Sequence, residues 1–463
     1  MSTATDAAIA ANRFGFGARP GELAGLGTAA RDALSAQLSG PAPRIAAELP
    51  ASQDLLVRII ALREERRRAG DDPAAAQLKV AQRLREVYAP AYLDDARARF
   101  EAAVTSDRSF VERLVQFWSN HFAVSVDKVA VLGLAGAMER EAIRPHVLGR
   151  FPDMLKAVEQ HPAMLLFLDN QASIGPNSSF AQLAARRGAR RVPGLNENLG
   201  REILELHTVG VDGGYAQTDV TSLAAVITGW SIGGEAGPVR GGEPGRFLFR
   251  DALHEPGAKS VLGRRYPEDG LAQGERVLRD LALNPRTARH LATKLARHFI
   301  ADEPPPAVVD RISRAYLDSE GDLPTMYRAL LSASESWQPT LRKFKTPTDY
   351  IHSTWRALSL PVPAGRAAIA PFELLGQRQF QPGSPAGWPD RAADWDGSSA
   401  LLKRVEWANN LSRRLGSRAN ALAIAEGALG ILLGDATRTA VSRAQDASQA
   451  LTLLLSSPDF MRR

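Results

Sequence analysis

The densest run of groups able to do chemistry is Asn196-Glu197-Asn198-Leu199-Gly200-Arg201-Glu202-Ile203-Leu204-Glu205-Leu206-His207. On a helix turning about 100° per residue, Asn198, Glu202 and Glu205 share a face, with Glu197 and Arg201 beside it. Glu197–Arg201 and Arg201–Glu205 have the i,i+4 spacing of helix-stabilising ion pairs. Leu199, Ile203 and Leu206 form an apolar stripe that Asn198 and Glu202 border. A carboxylate at that border needs a partner, because an unpaired buried charge is costly. Glu202 and Glu205, spaced i,i+3, would make a two-carboxylate edge for a metal ion or for acid–base work. A solvated face held by the charge pairs explains Glu197, Arg201 and Glu205 equally well. His207 falls about 180° from Asn198, so the Glu-x-x-Glu-x-His string is not a one-face metal motif. A cap at the core edge, donating to a carbonyl near the helix end, suits His207 better.

Any site on this face must recruit groups from other helices. Trp118-Ser119-Asn120-His121 ends one helix, His161 heads another, and Asp169-Asn170 closes it. His121 and His161 with Glu202 and Glu205 would supply a non-thiolate zinc, iron or manganese site. Asn120, Asp169, Asn198 and His207 complete the candidate catalytic set. Taken singly, each is as readily a helix cap or a satisfied core group. Trp118, Tyr215 and Trp230 stand next to these motifs and suit packing or redox chemistry. No Gly-x-Ser-x-Gly elbow is present, and no glycine pattern links a strand to a helix, which argues against serine hydrolase and dinucleotide or Walker sites.

The elements that must position these groups read as helices. Ser106 and Asp107 offer N-caps, Ser109 with Glu112 spaces like a capping box, and Phe110, Leu114 and Trp118 follow in helical phase. Pro152 suits the first turn of a helix ending at Glu159, and His161 caps the next, with Pro162 at its first position. A helix from near Asn196 ends at Gly210, and Thr218 caps another running to Gly229. Arg246–Arg250 alternates and Ser260-Val261-Leu262 is a second apolar run, which predicts one small hairpin near 246–263. The glycines of 233–245 read as a loop open to proteolysis. The fold class is mainly α. Its expected divisions are an N-terminal helical region 1–105, a central region 106–232 carrying the site, a loop and hairpin at 233–270, and a C-terminal helical region 271–463.

The 463 residues are 44% hydrophobic and 23% charged, enough for a sizeable core. With no cysteine, disulfides, thiolate metal sites and thiol nucleophiles are excluded. The net charge is +6, carried by 49 arginines and only eight lysines. The stretch Arg63–Arg68 is broken by acids and Arg186-Arg187 with Arg190-Arg191 is short, so nucleic-acid binding rests on overall charge alone. No stretch approaches 18 apolar residues, and no signal peptide is visible, so the expected location is cytoplasmic, or periplasmic or secreted for a form whose leader was removed.

Several of these strings also carry a family likeness. Phe117-Trp118-Ser119-Asn120-His121-Phe122, His161-Pro162-Ala163-Met164, Leu168-Asp169-Asn170, Gly175-Pro176-Asn177 and Gly194–Gly214 with Tyr215 belong to it. So do Thr228-Gly229-Trp230, His254 with Gly257 and Lys259, and Pro385-Ala386-Gly387-Trp388-Pro389. Through them nearly the whole chain resembles the bacterial family catalogued as domain of unknown function 1800. The resemblance implies which segments matter without supplying a reaction. Many members look secreted and are encoded beside a sulfatase-like family, which implies a sulfatase-like partner protein. Two functions therefore compete. One is an enzyme with a His/carboxylate site, with a metal-dependent oxidoreductase or hydrolase as one form. The other is a non-catalytic scaffold or export and assembly partner with a buried polar network.

Overall fold

In a computed structural model the buried apolar residues sort into two large cores and a small cluster of Ile174, Ala181 and Leu253. The structure describes residues 3–69, 73–188, 194–234, 241–416 and 419–463, and the side chains of all of these save 62–81. The side chains of the arginines of 63–68 are thus not described, and Arg190-Arg191 and the middle of the 233–245 loop lie outside the described residues. The larger core gathers apolar side chains from Ala7 to Trp337, joined by Ile369 and Phe380. The smaller runs from Phe344 to Met461 and takes in Phe100 and Val104. These cores cut across the expected segments, since residues before 105, the central region, the 233–270 segment and residues 271–337 all feed the larger one. The Pro73–Thr105 helix joins the two cores: Tyr88, Ala91 and Ala96 pack in the first, Phe100 and Val104 in the second.

The chain is 63% helical. No helix among the described residues is long and apolar enough to cross a membrane. The Pro285–Phe299 helix illustrates the local logic. Asn284 caps it by accepting from the Arg286 amide, and Pro285 stands in its first turn. Leu291, Leu295 and Phe299, in i,i+4,i+8 phase, are fully buried. Each contributes about 1.5–3 kcal/mol by leaving water. The expected helices over Pro152 to Glu159 and after His161 are present as Phe151–Glu159 and Pro162–Phe167.

Three local expectations are corrected. The Ser109–Glu112 capping box does not form, because Glu112 is drawn into a buried two-bond pair with Arg144 (2.7 and 2.9 Å). The helix expected to begin at Thr218 starts at Gln217, with Asp219 accepting from the Ala216 amide. The single hairpin near 246–263 is instead two separate sheets. Phe247–Phe249 pairs antiparallel with Trp230–Ile232, across the glycine-containing loop, and Lys259–Val261 pairs with Arg264–Tyr266 around a tight turn. Leu262 and Gly263, both at positive φ (49° and 77°), make that turn.

Charges collect where the two cores meet. Arg113 and Arg463 both donate to Asp349 Oδ2, at 2.7 and 2.8 Å. Arg113 also reaches Gly15 O, and Arg356 binds Gly17 O and the Glu22 carboxylate. The boundary between the cores is therefore ionic, and it is where a polar site can be kept inside the molecule.

Candidate active site

The Asn196–His207 run departs from the regular helix assumed for it. Asn198–Glu202 is α-helical, but Ile203–His207 is a π-helical turn. The wider turn shifts the angular positions after Glu202, so a constant 100° step no longer holds. Asn198 is exposed rather than bordering the core, and its amide is held by Asn196 Oδ1. Glu197 and Glu205 pair with Arg201 at 3.2 and 3.4 Å on a part-exposed face. Glu202 is half-buried; desolvation raises its pKa, with His207 opposing. His207 is buried, and its Nδ1–H donates to the fully buried Glu159 at 2.7 Å.

The remaining candidates are dispersed. His161 Nδ1 accepts from the Ala163 amide, as an N-cap should, and its Nε2–H donates to Glu141. Asp169 is exposed at φ 58° and pairs with Lys128. His121, His161, Glu202 and Glu205 therefore do not converge as one ligand set, and no group of three or more His, Asp or Glu suited to a metal occurs among the described residues. Trp118 is a packing residue whose indole N–H donates to Tyr327.

What the π-helical turn does is offer its terminal carbonyls to histidines from elsewhere. His121 Nε2–H donates to His207 O and His290 Nε2–H to Leu206 O, both at 3.2 Å. These satisfy acceptors that a helix end leaves without partners. Gly210 follows at φ 86°, and a Cβ there would stand 2.7 Å from His290 Nδ1, so glycine is required twice over. The bond from Nε2 fixes the His121 tautomer and leaves Nδ1 as an acceptor. Lys294 Nζ donates to it at 2.9 Å.

Lys294 opens onto a cavity of about 320 Å³ at the boundary between the cores. Arg113, His121, Lys294, His298, Asp349 and Asp390 are among the residues that line it. His290, Lys294 and His298 are spaced i,i+4,i+8 and so share one edge of the Pro285–Phe299 helix. Burial pushes the Lys294 ammonium down from 10.5 to about 8, although Asp390 opposes the shift. Burial, and then the Lys294 charge, holds His121 well below the usual imidazole range, so it stays neutral.

A second pair completes the site. His298 Nδ1–H donates to Asp390 Oδ2 at 2.9 Å, and His298 Nε2 has no partner among the described residues. Burial pushes His298 down to about 4 against the pull of Asp390. Burial alone would raise Asp390, but His298, Lys343 and Arg463 outweigh it and keep the carboxyl ionised. The imidazole is therefore neutral at pH 7, with a carboxylate behind it and its basic nitrogen buried and without a partner among the described residues, on a residue that lines the cavity. This is the orientation a general base needs.

Asn120 explains how Asp390 is placed. Its amide donates to Trp388 O at 2.9 Å and its carbonyl accepts from the Trp388 amide at 2.7 Å. The preceding Gly387 (φ 84°) leaves no room for a Cβ, which would stand 2.3 Å from Asn120 O. Trp118–His121 and Pro385–Pro389 are thereby joined, and Asp390 is carried to His298. Of the candidate site residues named from the sequence, Asn120 and His121 line this cavity, as do Phe117, Ser119, Ala386, Trp388 and Pro389 of the strings around them. Lys294, His298 and Asp390 were missed. The available signal was the phase of His290, Lys294 and His298 alongside Leu291, Leu295 and Phe299.

The chain has no match among curated proteins or among solved structures. Residues 9–462 match the model of a family described as protein of unknown function (DUF1800), and the chain belongs to that family.

Proposed function

We propose that the protein is an enzyme performing general acid–base chemistry in the cavity between its two cores. The observation that carries this reading is the Asp390–His298 pair, whose only unpartnered ring nitrogen belongs to a residue lining that cavity. His298 Nε2 takes a proton from substrate or from water. Asp390 holds the imidazole in the required tautomer and stabilises the imidazolium that forms. Lys294 supplies positive charge where negative charge develops, and neutral His121 accepts one of its N–H bonds so that the ammonium stays aimed. A depressed lysine beside an oriented histidine in a cleft is a pattern concentrated at functional sites. The chain's own side chains suffice for these steps.

A second reading, a non-catalytic assembly partner, is favoured by the sealed polar pairs, such as Arg144–Glu112 and His207–Glu159. One experiment separates them. Purified protein and its Asp390→Asn variant are incubated with a bacterial metabolite extract, which is followed by mass spectrometry. The enzyme reading expects a compound consumed by the natural chain and spared by the variant. No consumption by either favours the assembly partner, and equal consumption by both places the base elsewhere than His298.

A further inference from the structure

The charges around the cavity do not balance. Six cations line it, Arg99, Arg113, Lys294, Arg297, Arg378 and Arg391, against three carboxylates, Asp349, Asp390 and Asp394. Arg99 and Arg391 are answered by Glu139 and Glu303 outside the lining, at 2.9 and 3.1 Å, so the imbalance falls on the other cations. Asp349 is shared by Arg113 and Arg463, Asp390 answers His298 and Lys343, and Asp394 is exposed. Lys294 spends one N–H on His121, and the Arg297 guanidinium spends its Nε–H on Asp302 O at 3.0 Å. Neither has a carboxylate partner among the described residues. Lys294 and Arg297 are i,i+3 on one helix, beside His298, so their remaining donors serve one side of the cavity. Gln116 Nε2, a further lining donor, is buried with no partner among the described residues. Buried donors without acceptors are costly unless a ligand or water satisfies them.

Size narrows the ligand. A volume of about 320 Å³ is at the small end of metabolite pockets and has room for about ten waters. It cannot hold a polymer segment of any length. Oxyanions suit the donor set, because a guanidinium and an ammonium together present several N–H groups to clustered oxygens.

We infer that the cavity binds a small molecule bearing an oxyanion, a carboxylate or a phosphate- or sulfate-type group, with that group held between Lys294 and Arg297. Its reacting end then lies against His298. This inference rests on the acid–base reading and adds the class of substrate to it.

The test uses binding, so it does not depend on turnover. The full chain is titrated calorimetrically with succinate, inorganic phosphate and sulfate, and with succinamide as the uncharged counterpart of succinate. At least one anion should bind saturably with one site per chain, and succinamide should not. Lys294→Gln and Arg297→Gln should each weaken that anion at least tenfold. Arg297→Gln, at a part-exposed position, carries the test should Lys294→Gln not fold, and thermal melts of both variants check this. Succinate binding more tightly than phosphate and sulfate identifies a carboxylate ligand; the reverse order identifies a tetrahedral one. The inference is overturned if none of the three anions binds saturably, if succinamide binds as well, or if both variants bind like the natural chain. Anion binding without any metabolite turnover would instead contradict the acid–base reading alone.

Discussion

Two carboxylate–imidazole pairs in this molecule have nearly the same geometry and different surroundings. In His207–Glu159 the nitrogen and oxygen are 2.7 Å apart and the side chains are 1% and 0% exposed. In His298–Asp390 they are 2.9 Å apart and the side chains are 16% and 23% exposed, on a cavity wall. The first pair fixes the π-helical turn against the Phe151–Glu159 helix, and nothing can reach it. The second lies on the wall of a space a small molecule can enter, although its Nε2 is itself shielded from water. The hydrogen bond is common to both, so access decides which pair can do chemistry.

The largest expected effect is on the open pair. Asp390→Asn should lower turnover on the order of 10³–10⁴-fold, because an amide no longer holds the imidazole in the productive tautomer. The rate of consumption of a compound identified in the extract measures it, and a loss below tenfold would place the base elsewhere. The sealed pair should respond in stability instead. Glu159→Ala leaves a buried partner unsatisfied and should cost about 3–5 kcal/mol in denaturant unfolding. A cost under about 1 kcal/mol would mean that this pair is not the structural fixture described.

Acid sharpens the comparison further. Burial lowers His290 and His298 from 6.5 to about 4 and His352 to about 3. Between those values and 6.5 the unfolded chain binds more protons than the folded one, so stability falls as pH falls from about 6.5 to about 4. The summed loss is on the order of 2–4 kcal/mol after allowing for solvent in the cavity. His352 packs on Phe16, Phe100 and Phe372, and neither ring nitrogen has a hydrogen-bond partner among the described residues. His352→Phe should therefore keep the fold and lessen the acid loss. Melting temperatures at pH 7, 5.5 and 4.5 read both effects, and an unchanged acid slope in His352→Phe would remove this residue from the account. The smallest effect belongs to Glu197→Gln, on the part-exposed face, which should cost under about 0.5 kcal/mol. A larger loss would show that the Glu197, Gln217 and Thr221 contacts matter more than their exposure suggests.

Helical phase made the fold class legible, and it also placed the helices over Pro152–Glu159 and after His161. The strand pairing was not legible, because Arg246–Arg250 could pair forward or back and only tertiary packing sends it to Trp230–Ile232. In the Asn196–His207 run the polar residues were conspicuous, but a π-helical turn cannot be seen in residue types. The face drawn at a constant 100° per residue therefore failed after Glu202. Asn120 and His121 were found because they stand as polar groups at the end of a helix whose apolar phase is plain. Lys294, His298 and Asp390 were not, because their meeting depends on Asn120 holding the Trp388 backbone across 268 positions of sequence. No local pattern encodes that contact.

The chemistry turns on His298, whose unpartnered nitrogen is shielded from water at rest but must be reached by a small molecule entering the cavity that the residue lines, as the His207 ring must not. Diethyl pyrocarbonate acylates such nitrogens, and the eight histidines can be mapped by peptide mass spectrometry. At pH 7, in the folded full chain, His298 should be modified and His207 should stay unmodified until the protein unfolds. Modification of His207 at a rate equal to or above that of His298 would contradict the claim.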